Sequence, residues 1–313
     1  MKNLTLENIA RVCGGTYYGP ADKLQEEVMS VITDSRKAEE GCLFVPIVGE
    51  RVDAHKFIPQ VMEAGALATL SERVLDNADF PYIAVESSLQ AVKDIAEFYL
   101  KQLQIPVVGI TGSVGKTSTK EVIASVLEQK YHTLKTQGNF NNELGLPLTV
   151  FRLRDGDEIA VLEMGISDFG EMTRLAQIAR PDTCVITNIG LCHLENLITR
   201  DGILKAKTES FAHLTPDGIA VLNGDDDKLC DKKVVNGKPA VFYGIEKAAK
   251  VAETEEGTKT LAEKTVYATN VEAVGLTGTK AALHYPSKET GGEVTMEVTI
   301  PIAGEHNVYN ALA

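Results

Sequence analysis

Residues 105–129 read IPVVGITGSVGKTSTKEVIASVLEQ. A continuous apolar run leads into a glycine-bearing turn and then into a stretch of helical character. Such a short apolar run has two faces to bury, and a helix directly after it makes the opening of a β–α unit. The rhythm then recurs. YHTLKT, EIAVLEM, TCVITNI and GIAVLN read as strands, while GEMTRLAQIA, closed by Arg180-Pro181, and DGILKAKTESFAHL read as helices. Two-faced strands alternating with helices predict an α/β fold with a mostly parallel sheet covered on both sides. From 250 to 302 the pattern turns β-rich. Alternation in VTMEVTIPI predicts an appended antiparallel patch, and the polar run ETEEGTKTLAEK a solvated loop.

The first 84 residues follow a different plan. LTLENIARVCGG predicts a helix stopped by a glycine pair, GCLFVPIVG a strand, HKFIPQVMEAGALATL a helix and YIAVES another strand. A small N-terminal α/β domain over 1–84 and a larger central domain over 85–313 are expected, in keeping with a chain of 313 residues. The central domain opens on 88–104, where Leu89, Val92, Ile95, Ala96, Tyr99 and Leu103 share one helical face.

Charge and cysteine usage narrow the partners. A net charge of −13 argues against a broad nucleic-acid surface or an acidic membrane. It does not oppose small phosphates, which are held by local N–H groups and one or two cations. No run approaches the roughly 20 apolar residues of a membrane span. The N-terminal stretch MKNLTLENIARVCGG carries Glu7 and reads as an amphipathic helix, not a signal peptide. Cysteines 13, 42, 184, 192 and 230 show no C-x-x-C spacing, so reduced thiols in a cytoplasmic protein, a monomer, are expected.

The turn GITGSVGKTS almost fits the phosphate-loop pattern G-x-x-x-x-G-K-[ST], but its first glycine, Gly109, comes one residue early. Its strand–loop–helix setting is the one that pattern needs. Thr111, Gly112, Ser113, Val114, Gly115, Lys116, Thr117 and Ser118 are therefore candidates to cradle a polyphosphate. Lys116 would reach the outer phosphates and Thr117 a Mg²⁺ ion. Glu163 closes an apolar strand where a parallel sheet opens into its ligand crevice, a suitable place for a hard cation's oxygen ligand. Other candidates are weaker by themselves. His193 reads as a loop histidine, and Lys205 and Lys207 as solvated lysines on different helix faces. Asn139, Asn141, Asn142 and Glu143 read as a turn, and Asp34-Ser35-Arg36 as an N-cap. Asn307 and Asn310 share a helix face.

These segments together carry more. GITGSVGKTS, TQGNFNNELGLPLT, LEMGISDFGEM, NIGLCHLENL, KAKTE, NGDDD and GEHNVYNALA occur in one order over the whole chain. In that order they resemble the Mur ligases, which build the peptide stem of bacterial cell-wall precursors. The match is to the branch that adds D-alanyl-D-alanine to UDP-N-acetylmuramoyl-tripeptide. The resemblance implies an ATP-dependent amide ligase working through an acyl phosphate, with Lys116, Glu163, His193 and Lys207 as its catalytic residues. It implies Mg²⁺ at Thr117, Glu163, His193 and a Lys207 carbamylated by CO₂. It places Asn310 and His306 at the adenine, and Asn307 among the ATP-binding residues. Asn139, Asn141, Asn142 and Glu143 fall on a substrate-facing loop, and Ser35 and Arg36 at the UDP end, with Asp53 and His55 nearby. Ile198 stands where relatives usually place a glycine. The family's chain continues into a third α/β domain, so residues 1–313 are expected to be an incomplete and, alone, inactive form. A folylpolyglutamate-type ligase and a non-catalytic nucleotide-binding relative are the alternatives.

Overall fold

The computed structural model describes residues 1–254, 257–287 and 289–313. They divide into two compact units, residues 1–105 with 137–157, and residues 106–136 with 158–313. The break thus follows Ile105, not residue 84 as the sequence pattern suggested. Helix Ser88–Leu103 is the reason. It buries Ala91, Val92, Ile95, Ala96, Tyr99 and Leu100 and packs on helices Leu6–Val12 and Gly145–Val150 of the first unit. The Tyr99 hydroxyl donates to the Leu153 carbonyl at 2.7 Å, so segment 137–157 is fastened to the same helix.

The first unit is built on a five-stranded sheet in the order Thr16–Tyr18, Tyr82–Ala84, Ala68–Ser71, Cys42–Phe44, Ser30–Ile32. Its strands are parallel except the edge strand Thr16–Tyr18. Ile32, Cys42, Phe44, Ile58, Val61 and Ala66 form a core on one side. The stretch HKFIPQVMEAGALATL is not one helix. Helix Ile58–Glu63 ends at Ala64, Gly65 turns the chain at φ +96°, and Ala68–Ser71 is a buried strand. A glycine just past the last helical turn supplies the left-handed residue that stops the helix.

The second unit holds a nine-stranded sheet. Its order is Glu293–Ile300, Thr279–Pro286, Val266–Ala273, Val241–Ile245, Ile219–Asn223, Thr183–Ile186, Val107–Thr111, Ile159–Glu163, Thr133–Lys135. The strands from Val266–Ala273 onward are parallel, and the first two are antiparallel, which is the expected appended patch. Ile110, Val161, Val185 and Val221 meet Ala124 of helix Lys116–Leu127 and Val308 and Leu312 of helix Glu305–Leu312 in one core. The run expected as a solvated loop forms an antiparallel pair, Val251–Thr254 with Gly257–Thr260. Its valine and threonines suit an extended ribbon better than an open loop. Glu255 and Glu256 lie outside the described residues.

The strand order positions the site. After Val107–Thr111 the chain runs out to the edge strand Thr133–Lys135 and returns as Ile159–Glu163. It then crosses to the other side as Thr183–Ile186. Connections therefore diverge at the carboxyl end of Val107–Thr111, and the crevice they leave is where sheets of this kind bind ligands.

Candidate active site

Gly109 is a strand residue. A side chain there would strike Met164 and Pro181, so that glycine answers to packing and has no part in the loop. The turn itself begins at Gly112, φ +143°, where a Cβ would collide with the Thr187 hydroxyl. Gly115, φ +86°, then starts helix Lys116–Leu127 with no side-chain cap. The next strand's loop clamps this turn. Ser113 N–H donates to the Asn188 carbonyl at 3.0 Å. Val114 N–H donates to Asn188 Oδ1 at 3.0 Å, while Asn188 Nδ2 and the Thr187 hydroxyl donate to the Val114 carbonyl at 2.9 and 2.6 Å. Two amides expected to face an anion are thus engaged inside the protein. The uncapped first turn, with Lys116, Thr117 and Ser118, keeps its N–H groups and the favourable helix-end field for a phosphate.

Two cations converge on this turn. Lys116 Nζ donates to the Gly112 carbonyl at 2.9 Å, and Lys207 Nζ donates to the same oxygen at 3.1 Å. Lys207 comes from helix Arg200–Thr208 and is 1% exposed. Burial first, and the Lys116 charge second, push its pKa down from the ordinary lysine value to about 8. Lys205, two residues earlier, lies on another face, 5.8 Å from the centre of the Phe169 ring. Beside the two cations sits Glu163, 2% exposed at the end of its strand. The Thr117 hydroxyl donates to its Oε2 at 3.0 Å, and its own N–H donates to the Thr136 hydroxyl at 3.0 Å. Lys120, on the same helix as Thr117, holds its Nζ 3.8 Å from Glu163 Oε2.

The other predicted residues are placed less directly. His193 starts the short helix Leu194–Leu197. It is exposed, with its Nδ1 3.8 Å from Glu195 Oε1. Asn307 and Asn310 are buried on helix Glu305–Leu312, and their amides are largely matched by protein. Asn310 Oδ1 accepts from the Thr119 hydroxyl at 3.1 Å, and its Nδ2 donates to Asn307 Oδ1 at 3.1 Å. Asn307 Nδ2 donates to the Ala303 carbonyl at 2.9 Å and meets His306 Nε2 at 3.1 Å.

In the first unit, Asn142 Oδ1 accepts the N–H groups of Leu144 and Gly145 at 3.3 and 2.8 Å, just ahead of helix Gly145–Val150. The N–H of Asn141 donates to the Asn139 carbonyl. Glu143 pairs with the nearly buried Lys93 at 3.1 Å. Ser35 and Arg36 form a single turn after strand Ser30–Ile32, and Arg36 beside Asp34 holds that carboxyl down at about 2. A cavity of about 220 Å³ adjoins this turn, lined by Asp34, Lys37, Gln137, Phe140, Thr149 and Arg152 among others. His55 is buried with both ring nitrogens engaged, Nδ1 with Asp53 and Nε2 with the N–H of Glu72.

A model of the Mur ligase middle domain matches residues 110–313. The chain belongs to the Mur ligase family. It is 39% identical to a Bacillus subtilis UDP-N-acetylmuramoyl-tripeptide–D-alanyl-D-alanine ligase over 99% of its own length and 62% of the relative's. Its fold matches a crystal structure of MurF from Acinetobacter baumannii with a TM-score of 0.83 and 33% identity, over 98% of this chain and 63% of that one. A MurF ligase from Thermotoga maritima, crystallised in complex with ADP, matches with a TM-score of 0.74 and 32% identity, over 90% of this chain and 61% of that one. The chain thus spans a little over three fifths of the length of these relatives.

Within this Mur ligase chain several structural residues escaped the sequence reading. Asn188 clamps the phosphate turn from both its amide ends. Glu209, the last residue of KAKTE, accepts from the N–H groups of Gly170 and Thr173 and so caps helix Glu171–Ala179. The acidic triplet of NGDDD ties three elements together. Asp225 accepts from the Tyr309 hydroxyl at 2.9 Å, Asp226 from the N–H of Ile189 at 2.8 Å, and Asp227 takes both ends of the Arg200 guanidinium. Lys120 could have been found from spacing, since three residues after Thr117 it must share that helix face.

Proposed function

We propose that this chain forms the nucleotide-binding and UDP-binding parts of an ATP-dependent ligase that adds D-alanyl-D-alanine to UDP-N-acetylmuramoyl-tripeptide. The observation that carries the reading is the convergence of Lys116 and Lys207 on Gly112 O, with Thr117 and Glu163 hydrogen-bonded beside them. The similarity to D-alanyl-D-alanine-adding relatives over almost the whole chain supports the choice of substrate.

The residues present fit a Mg²⁺ ion. Glu163 and Thr117 offer a carboxylate and a hydroxyl, and this ion commonly keeps waters and substrate phosphates as its remaining ligands. Among the described residues no group of three or more His, Cys, Asp and Glu side chains forms a metal cluster, so His193 is assigned to the metal only through the family resemblance. When bound, Mg²⁺ would offset charge on the phosphate oxygens. Lys207 fits carbamylation. With its pKa near 8, it offers neutral amine at neutral pH in a proportion roughly a few hundredfold greater than an ordinary lysine. Its carbamate would keep one N–H able to donate to the Gly112 carbonyl.

In the reaction, the peptide carboxylate attacks the γ-phosphorus of ATP, and the bond to the β–γ bridging oxygen breaks to release ADP. The dipeptide amine then attacks the acyl carbon, loses a proton, and inorganic phosphate leaves. Negative charge gathers on oxygens in both steps, and Lys116 with the first-turn N–H groups is placed to stabilise it. The cavity beside Ser35 and Arg36, with Lys37 and Arg152 on its wall, is the place assigned to the UDP end. Calorimetric titration of ADP with Mg²⁺ into this chain tests the nucleotide part. Binding is expected, and Lys116→Ala should weaken it at least tenfold, the worth of one charge-assisted contact. Equal binding by both proteins would remove the phosphate-loop assignment.

A further inference from the structure

The phosphate-loop helix carries a third lysine whose charge the reading above does not use. Lys120 is 1% exposed. It lies one turn beyond Lys116 and three residues after Thr117, so it faces the same strand end. Its Nζ is 3.1 Å from Glu121 Oε1 and 3.8 Å from Glu163 Oε2. Glu121 is held in turn by Lys135, at 2.8 Å, and Lys135 also reaches Glu128 at 3.3 Å. A line of alternating charge therefore leads from the sheet's edge strand inward to Glu163. Glu121 is shared between Lys120 and Lys135, and Lys120 in turn between Glu121 and Glu163. Lys116 and Lys207 are turned to Gly112 O instead, so Lys120 is the lysine with its Nζ near Glu163.

This arrangement bears on when a metal ion can enter. A buried carboxylate needs a partner charge, and Lys120 supplies one. A free divalent cation arriving at Glu163 would meet like charge from Lys120 at short range, where an interior of low effective dielectric makes repulsion strong. A polyphosphate reverses that balance. Resting on the nucleotide–metal reading above, we infer that Lys120 is an internal counter-cation for Glu163. It keeps the site closed to free divalent ions and makes metal entry conditional on the nucleotide's phosphates. Lys120 is thus a positioning residue that sets the order of binding.

The test is Mn²⁺ binding to this chain, read by electron paramagnetic resonance at pH 8 with and without ADP. Mn²⁺ accepts the same oxygen ligands as Mg²⁺. The wild type should bind Mn²⁺ tightly only with ADP. Lys120→Met should bind it at least tenfold more tightly than wild type without nucleotide, and Lys120→Arg should behave as wild type. Adding Glu163→Gln to Lys120→Met should remove the gain. A gain of binding is a result that mere loss of packing does not produce, and Lys120→Gln serves as a second neutral variant should the methionine variant not fold. Wild-type chain that binds Mn²⁺ equally well with and without ADP overturns the inference even if neither variant folds. If metal–ADP coupling is present in the wild type but neither folded neutral variant gains affinity, this inference alone falls. If ADP binds with no contribution from Mn²⁺, the nucleotide–metal reading falls and this inference with it.

Discussion

At the scale of single residues, the site rests on a few closely placed charges. Lys116 and Lys207 share one carbonyl oxygen, and their separate roles predict different responses to truncation. In the protein carrying this chain, Lys116→Ala should slow ATP-dependent phosphate release on the order of 10³-fold or more, the scale of losing one preorganised charge in a transition state. A variant keeping a third of the rate would contradict the assignment. Lys207→Ala should also lose activity, and bicarbonate or a short carboxylic acid should partly restore it, because the missing group is an oxygen anion. Restoration by alkylamines instead would show that the ammonium form is the working one. Much of this was legible early. The phosphate turn, Glu163 at a strand end, and the separation of Lys205 from Lys207 by helix geometry all followed from spacing. Asn188 was not seen, because a clamp is defined by what it approaches across the sheet; helix spacing puts Lys120 on the face of Thr117 but does not say that a carboxylate lies opposite.

At the scale of elements, the connection between the His193 segment and the helix bearing Lys207 stores strain. Ile198 has φ +65° and ψ −51°, and Thr199 N–H donates to the Leu197 carbonyl at 2.7 Å across it. That is the rarer, strained form of γ-turn, occupied by a β-branched residue that is 75% exposed. Strain of this kind costs about 1–3 kcal/mol. Ile198→Gly should therefore stabilise the second unit by about 1 kcal/mol after the added freedom of the unfolded chain is counted. Thermal denaturation should show Tm raised by about 2–4 °C, and a lowered Tm would rule out strain at this turn. The helix that follows is anchored by Arg200 to Asp227. Both side chains are mostly buried, so Asp227→Ala, which takes the carboxylate from the guanidinium and leaves it the Ile189 carbonyl, should cost about 3 kcal/mol in chemical denaturation. Arg200 holds the Asp227 carboxyl below the usual range. Its folded pKa lies under its unfolded one, so the pair's stabilisation is complete above about pH 4 and is lost as pH falls further. Denaturation midpoints measured downward from pH 5 should fall more steeply for wild type than for Asp227→Ala, and parallel curves would remove Asp227 from the acid response.

For the molecule as a whole, alternation of apolar runs and helices was enough to read a parallel sheet with an antiparallel patch, because burial on both faces leaves a strong local pattern. Domain limits were less legible. The periodicity of 88–104 shows that the helix has an apolar face, yet nothing local says which core that face joins. Segment 137–157 leaves the second unit's chain to pack with the first, a decision made by distant partners such as Tyr99 and Leu153. The antiparallel pairing of 251–254 with 257–260 was hidden by its polar composition. The proposed function is amide formation between UDP-N-acetylmuramoyl-tripeptide and D-alanyl-D-alanine by the protein carrying this chain. Its most direct test is an omission assay on the protein carrying this chain, following phosphate release and ligated product together with ATP and Mg²⁺. The account predicts sustained phosphate release, one phosphate per peptide bond, only when both substrates are present. Sustained release with either one left out, or release without ligated product, would contradict it.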